Sequence, residues 1–175
     1  MHRERGLTLI ELSVTLAVLA ICAAVGVPAL RALVQQQRAF AAMGGLIAHL
    51  ANARTAAITH NRPVVLCPFD QAGITCVQNA DWSRGWMVFF DADSDRQPDR
   101  TDDVIAVEQP SAKSGLMVRT STGRRHVRYL PDGRSAGTNT TFELCASDGR
   151  LLGKVIINNA GRVRTERPMD SVPCA

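Results

Sequence analysis

From Leu7 to Leu30 the chain is almost continuously apolar, broken only by Thr8, Glu11, Ser13 and Thr15. A helix of about 20 residues spans the ~30 Å hydrocarbon core of a bilayer, so this run is long enough to cross one. His2, Arg3 and Arg5 precede it, against the single carboxylate Glu4. That basic head is expected to stay cytoplasmic, with the bulk of the chain on the other side. A secretory signal carries only about 7–15 apolar residues before a small-residue cleavage site, and the present run is too long for one. Its pattern also continues past the membrane. Leu30, Leu33, Val34, Phe40, Met43, Leu46, Ile47 and Leu50 keep helical spacing, which predicts one helix to about Thr59, amphipathic over residues 31–60. Pro28 removes one backbone hydrogen bond and, with Gly26 nearby, is expected to kink or loosen it.

After Asn61 the period changes. Residues 63–67, 85–90, 103–107, 116–118, 126–130, 140–144 and 154–158 read as seven short strands. Pro131-Asp132-Gly133, Ser147-Asp148-Gly149 and Asn159-Ala160-Gly161 supply turns between them. Strands without intervening helices predict a mainly antiparallel β domain over residues 61–175, packed on the long helix, an α+β architecture.

Aromatic residues make up only 5% of the 175 residues, which implies a core filled by Val, Ile, Leu and Ala. The net charge of +4 conceals a polar distribution: +3 over residues 1–60, −5 over 61–110 and +6 over 111–175. A basic C-terminal third leaves a local anion-binding surface. Cys22 falls in the apolar run and is expected to be a buried thiol. Cys67, Cys76, Cys145 and Cys174 lie beyond it, and an even number past an export segment reads as two disulfides in an oxidising compartment. Sequence neighbours suggest Cys67–Cys76 and Cys145–Cys174, although three pairings are open. Zinc is disfavoured, because there is no CxxC pair and no His at ligand spacing.

Glu11 is costly at membrane depth, and such a group ordinarily has a partner and a function. Its helix offers no positive side chain within one turn. The free α-amine made by cleavage between Gly6 and Leu7 would be such a partner. Gly6-Leu7-Thr8-Leu9-Ile10-Glu11, followed by the apolar run with Pro28, closely resembles the prepilin motif of type IV pilins and type II secretion pseudopilins. The resemblance implies a leader of residues 1–6, cut by a prepilin peptidase that methylates the new amine. It also implies a membrane and filament-core helix over residues 7–30, with Glu11 aiding assembly. Leu7 stands where Phe is usual. Trp82-Ser83-Arg84-Gly85-Trp86-Met87-Val88-Phe89-Phe90-Asp91-Ala92-Asp93, Tyr129-Leu130-Pro131-Asp132-Gly133-Arg134 and Gly161-Arg162-Val163-Arg164 look like signatures of the GspH/FimT group. Two roles are implied there: an H-type minor pseudopilin of type II secretion, or a FimT-type minor pilin of type IV pili and DNA uptake.

Asp91, Asp93, Asp95, Asp99 and Asp102 match positions of a calcium loop, but Arg96 takes the place that wants Gly and Asp102 that of a bidentate Glu. A solvated acidic loop is the favoured reading, with no metal assigned. Trp82, Trp86, Phe89 and Phe90 could stack bases if exposed; an apolar strand makes them core instead. Among the basic residues, Arg124, Arg125 and Arg128 precede one turn, Arg150 and Lys154 precede another, and Arg162, Arg164 and Arg167 lie near the C-terminus. In an extended segment Arg162 and Arg164 point to one side and could grip successive phosphates. The Gly-Arg-x-Arg tail resembles the element with which FimT-type pilins bind DNA, which puts Arg162 and Arg164 first and Arg167 and Lys154 beside them. No catalytic motif or cofactor signature is present.

The sequence thus predicts a FimT-like minor pilin, non-enzymatic and without a cofactor. It would be anchored in the inner membrane with a periplasmic domain, then incorporated into a surface pilus with other pilins to bind double-stranded DNA without sequence preference, for uptake in natural transformation. An H-type pseudopilin and a pilus-priming subunit that binds no DNA are the alternatives.

Overall fold

In the computed structural model, residues 8–69, 74–109, 115–121, 123–137, 139–168, 170 and 172–174 are described; the cleavage pair Gly6 and Leu7 lies outside them. Helix α1 runs unbroken from Leu9 to His60, through Pro28, over roughly 80 Å. Thr8 starts it with a reciprocal cap: its hydroxyl accepts the Glu11 N–H, while the Glu11 carboxylate accepts the Thr8 N–H at 2.9 Å. Asn61 ends it in the left-handed conformation, its N–H turned back to Ala57 O and Ile58 O.

Eight strands follow among the described residues, one more than the sequence pattern predicts. β1 (Val64–Pro68), β2 (Trp86–Phe90), β3 (Val104–Glu108) and β5 (Val127–Tyr129) form one antiparallel sheet in the order β3-β2-β1-β5. β4 (Leu116–Thr120), β6 (Thr140–Ala146), β7 (Leu151–Ile157) and β8 (Val163–Glu166) form the other, in the order β4-β6-β7-β8. β7 begins at Leu151, three residues before the predicted start. Gly153 does not break it, because the missing side chain leaves room for the Met43 thioether of α1.

Ala39, Met43, Leu46, Leu50, Ala53 and Ala57 are the buried residues of α1, spaced alternately by four and three so that they form a single stripe. The stripe meets Val64, Leu66, Trp86, Val88 and Tyr129 of the first sheet and Val118, Phe142, Leu144, Val155 and Ile157 of the second. One core therefore joins both sheets to the helix. Val65, Cys67, Met87 and Phe89 face the other way and build a smaller core with Phe69 and Cys76. Trp82, Trp86 and Phe89 are thus core residues, not a base-stacking surface.

The disulfides are Cys67–Cys76 and Cys145–Cys174, with Cα separations of 5.6 and 6.2 Å. The second ties the end of the chain to β6, beside which Leu151 N–H donates to Val172 O. Cys22 is exposed, contrary to the expectation of burial. It sits on the part of α1 that stands clear of the domain, where nothing from the sheets reaches it.

Candidate functional site

The N-terminal half of α1 is bare. Leu9, Ile10, Leu12, Val14, Leu16, Val18, Leu19, Ile21, Val25 and Leu30 are all exposed, and this segment is long and apolar enough to cross a membrane. An apolar surface of this extent requires cover, by lipid or by other helices. Within it, Glu11 is held by its own turn, one carboxylate oxygen accepting both the N–H and the hydroxyl of Thr8, at 2.9 and 2.8 Å.

The basic residues are distributed differently from their order in sequence. Arg162 and Arg164 come together at the β7–β8 hairpin, where they line a cleft of about 450 Å³ with Asn139, Ile156, Asn158 and Val163. Asn158 shapes this tip: its N–H donates to Arg162 O, its carbonyl accepts from Gly161 N–H, and its side chain accepts from Arg162 N–H. Gly161 has φ of +74°, and a Cβ there would run into Gly133 O and press on the Tyr129 ring. Arg54 of α1 closes the tip, donating to Gly161 O at 3.3 Å. The Gly-Arg-x-Arg element is therefore docked against the helix and the 129–135 segment.

The other basic candidates do not converge on this tip. Lys154 bonds Glu143 at 2.7 Å, and strand register places Arg119, Glu143, Lys154 and Glu166 in one row of alternating sign across the second sheet. Arg164 itself lies 3.2 Å from Glu166. The Arg167 guanidinium lies over the Phe40 ring at 4.4 Å. Arg150 pairs with Asp148 at the far end of β7, about 20 Å from the tip. Arg125 lines a separate cleft with Asp81, Arg119 and Glu143. Arg124 lies beside Gly137. Arg128 reaches Asp91 at 3.3 Å and donates to Ser94 at 2.6 Å. Among these arginines, burial and then Arg96, Arg124 and Arg128 push the His126 imidazole down from its ordinary value.

The aspartate loop is only partly solvated. Asp93, Asp95 and Asp99 are exposed, but Asp91 is fully buried. The carboxylates of Asp91, Asp93 and Asp95 cluster, and Asp91 also accepts the Arg96 N–H at 3.0 Å. The guanidinium of Arg128 thus already pairs with the buried first carboxylate of the calcium-like spacing. The spacing gave no sign of this, because Arg128 belongs to a distant strand. Nor does the sequence mark Arg54, whose one signal is a charge next to the Ala53–Ala57 stripe.

Two family models match the chain: the prokaryotic N-terminal methylation motif over residues 1–27, and the type II transport protein GspH over residues 42–161. Comparison with curated proteins gives no significant match. Among solved structures the chain is similar to the type IV minor pilin FimU of Pseudomonas aeruginosa PAO1 in two crystal forms. Both are 20% identical and cover 78% of this chain and 91% or 96% of theirs, with TM-scores of 0.57 and 0.56. The minor pseudopilin EpsH from the type 2 secretion system of Vibrio cholerae is also similar: 14% identity, 76% and 99% coverage, TM-score 0.53. At these identities the likeness is one of fold, a long helix packed on antiparallel sheets.

Proposed function

The chain belongs to the GspH family of type II transport proteins, and from that premise we propose that it is a minor pilin-type filament subunit. It would be held in the inner membrane by α1 until that helix passes into a filament core. The bare apolar half of α1 carries this reading, because it is continuous with a half that the sheets already cover. Once the helix leaves lipid, only neighbouring helices can replace the lost cover. Cleavage at Gly6–Leu7 would free an amine near Glu11, and a prepilin peptidase is the partner that this step requires. The protein acts by assembly and not by catalysis.

Co-expression of the full chain with a prepilin peptidase is expected to shorten it by six residues. Replacing Glu11 by Val should leave cleavage intact and lower recovery in sheared filaments at least tenfold. Uncleaved protein, or filament recovery indifferent to Glu11, would refute the reading.

DNA binding, and with it a FimT-like role, is a second reading, favoured by the paired exposure of Arg162 and Arg164 at one cleft. Two converging arginines, and not four, imply a salt dependence with log–log slope of about −2. Arg162→Gln with Arg164→Gln should abolish duplex retardation at low salt; retention of binding would exclude this site.

A further inference from the structure

The apolar run of α1 ends at Leu30, and Arg31 is the first charged residue after it. From Leu9 to Leu30 the helix rises about 32 Å, close to the ~30 Å thickness of a hydrocarbon core. The next two turns of α1 therefore stand at the level of the lipid headgroups. The lower end of the β domain comes down to the same level. Leu151 and Leu152, at the start of β7, close a groove of about 430 Å³ against Ala32, Leu33 and Gln36 of α1. From there β7 climbs away from the bilayer, since Gly153 meets Met43 and Gly161, beyond its far end, meets Arg54.

The domain side of this groove is held firmly. Leu151 N–H donates to Val172 O at 2.8 Å and Cys174 N–H to Gly149 O at 2.9 Å. Arg150 bridges Pro173, and the Cys145–Cys174 disulfide ties the same segment to β6. Two charged side chains line the groove, Arg150 and Asp170. Arg150 leans on Asp148 through Nε at 3.7 Å, a contact long enough to leave its terminal N–H groups for another acceptor. Asp170 is exposed and has no ion-pair or hydrogen-bond partner among the described residues.

Each part of this lining selects a chemical group. The alanine and leucine floor suits an acyl chain, and it is continuous with the bare face of α1, where Leu30 and Leu33 are exposed. The guanidinium suits a phosphate ester, and the free carboxylate suits a primary ammonium. A phospholipid with an ethanolamine headgroup carries all three in one molecule. A purely anionic lipid would meet Asp148 and Asp170 as like charges. A choline headgroup has no N–H to donate to Asp170.

We propose that this groove seats one phosphatidylethanolamine molecule from the leaflet on the domain's side of the bilayer. Its phosphate would lie on Arg150, its ammonium on Asp170 and the head of an acyl chain along Leu33 and Leu152. This rests on the reading of α1 as a membrane anchor. The site belongs to the subunit while it is held in the membrane, where the lipid braces the domain against the helix, and it empties when α1 leaves the bilayer.

The test uses the full chain in phosphatidylcholine nanodiscs that contain a small fraction of phosphatidylethanolamine with a diazirine near the head of one acyl chain. Illumination is expected to place the crosslink on residues 29–36 or 151–152. Unlabelled phosphatidylethanolamine should compete at least tenfold better than phosphatidylglycerol or phosphatidylcholine. Arg150→Gln with Asp170→Asn should lower the crosslink at least tenfold. Leu33→Trp should do the same by filling the groove from an exposed helix position, without touching either charge, so the test stands if the first variant fails to fold. Arg162→Gln with Arg164→Gln, at the opposite end of β7, should leave the crosslink unchanged. Crosslinks only outside the two segments, equal competition by phosphatidylglycerol, or indifference to both groove variants would overturn the proposal. Retention of the chain in the nanodiscs is scored separately, so failure of the anchor reading is distinguishable from failure of this one.

Discussion

Asp91, wholly buried where β2 ends, faces Arg128 Nε of β5 across 3.3 Å, with β1 lying between their two strands. The acidic loop that follows Asp91 is fastened to the sheet by this pair and by the bond from Arg128 to Ser94.

Removing one member of a buried ion pair leaves the other unpaired, at a cost of about 3–5 kcal/mol. Arg128 is partly exposed, which places Arg128→Met at or just below the lower end of that range, at about 2–3 kcal/mol in denaturant unfolding of the full chain in detergent. Adding Asp91→Asn to it should recover a substantial part of the loss. If the double variant is as unstable as the sum of its parts, the two residues are not coupled. Calcium should leave the unfolding midpoint of the wild type unchanged, since Arg128 already meets the buried carboxylate.

The Tyr129 hydroxyl is buried without a hydrogen-bond partner among the described residues, and burial pushes its pKa up to about 12. The unfolded chain releases this proton near pH 10, where the folded chain still holds it. Folding stability should therefore be intact below pH 10 and fall as pH rises from 10 towards 12. Tyr129→Phe should remove that component of the fall and be neutral or mildly stabilising at pH 7. An unchanged alkaline profile in the phenylalanine variant would show that the hydroxyl is solvated.

How much of this was legible in the sequence depends on whether the cause was local. Met43, Leu46 and Leu50 announce the helix because their spacing is the helix period itself, and the residues that cover them hardly alter it. The strand around Trp86 to Phe90 is as plain, since it is buried on both faces and uniformly apolar. β8 was hidden: Arg-Val-Arg-Thr-Glu-Arg carries a single apolar residue, and the strand exists through backbone pairing with β7. Asp91 is buried where the pattern predicts a solvated loop, for a related reason. Its burial depends on a guanidinium 37 residues further along the chain, and no spacing within the loop encodes that. Arg162 and Arg164 share one cleft because residues two apart in a strand lie on one side of it. The dispersal of Lys154, Arg128 and Arg167 to Glu143, Asp91 and Phe40 was invisible, because each partner arrives through the tertiary fold.

The single helix that is bare below and buried above has a mechanical consequence. No linker separates the two halves of α1, so tension along the rod enters the domain as shear on the Ala39–Ala57 stripe, with no hinge to absorb it. Backbone hydrogen bonds along the helix carry the load in series. The weakest link is at Pro28, where one of those bonds is missing, well below the first residue the sheets hold. Under load the rod should stretch there first, and the domain would keep its shape, and its surface, while the filament lengthens beneath it.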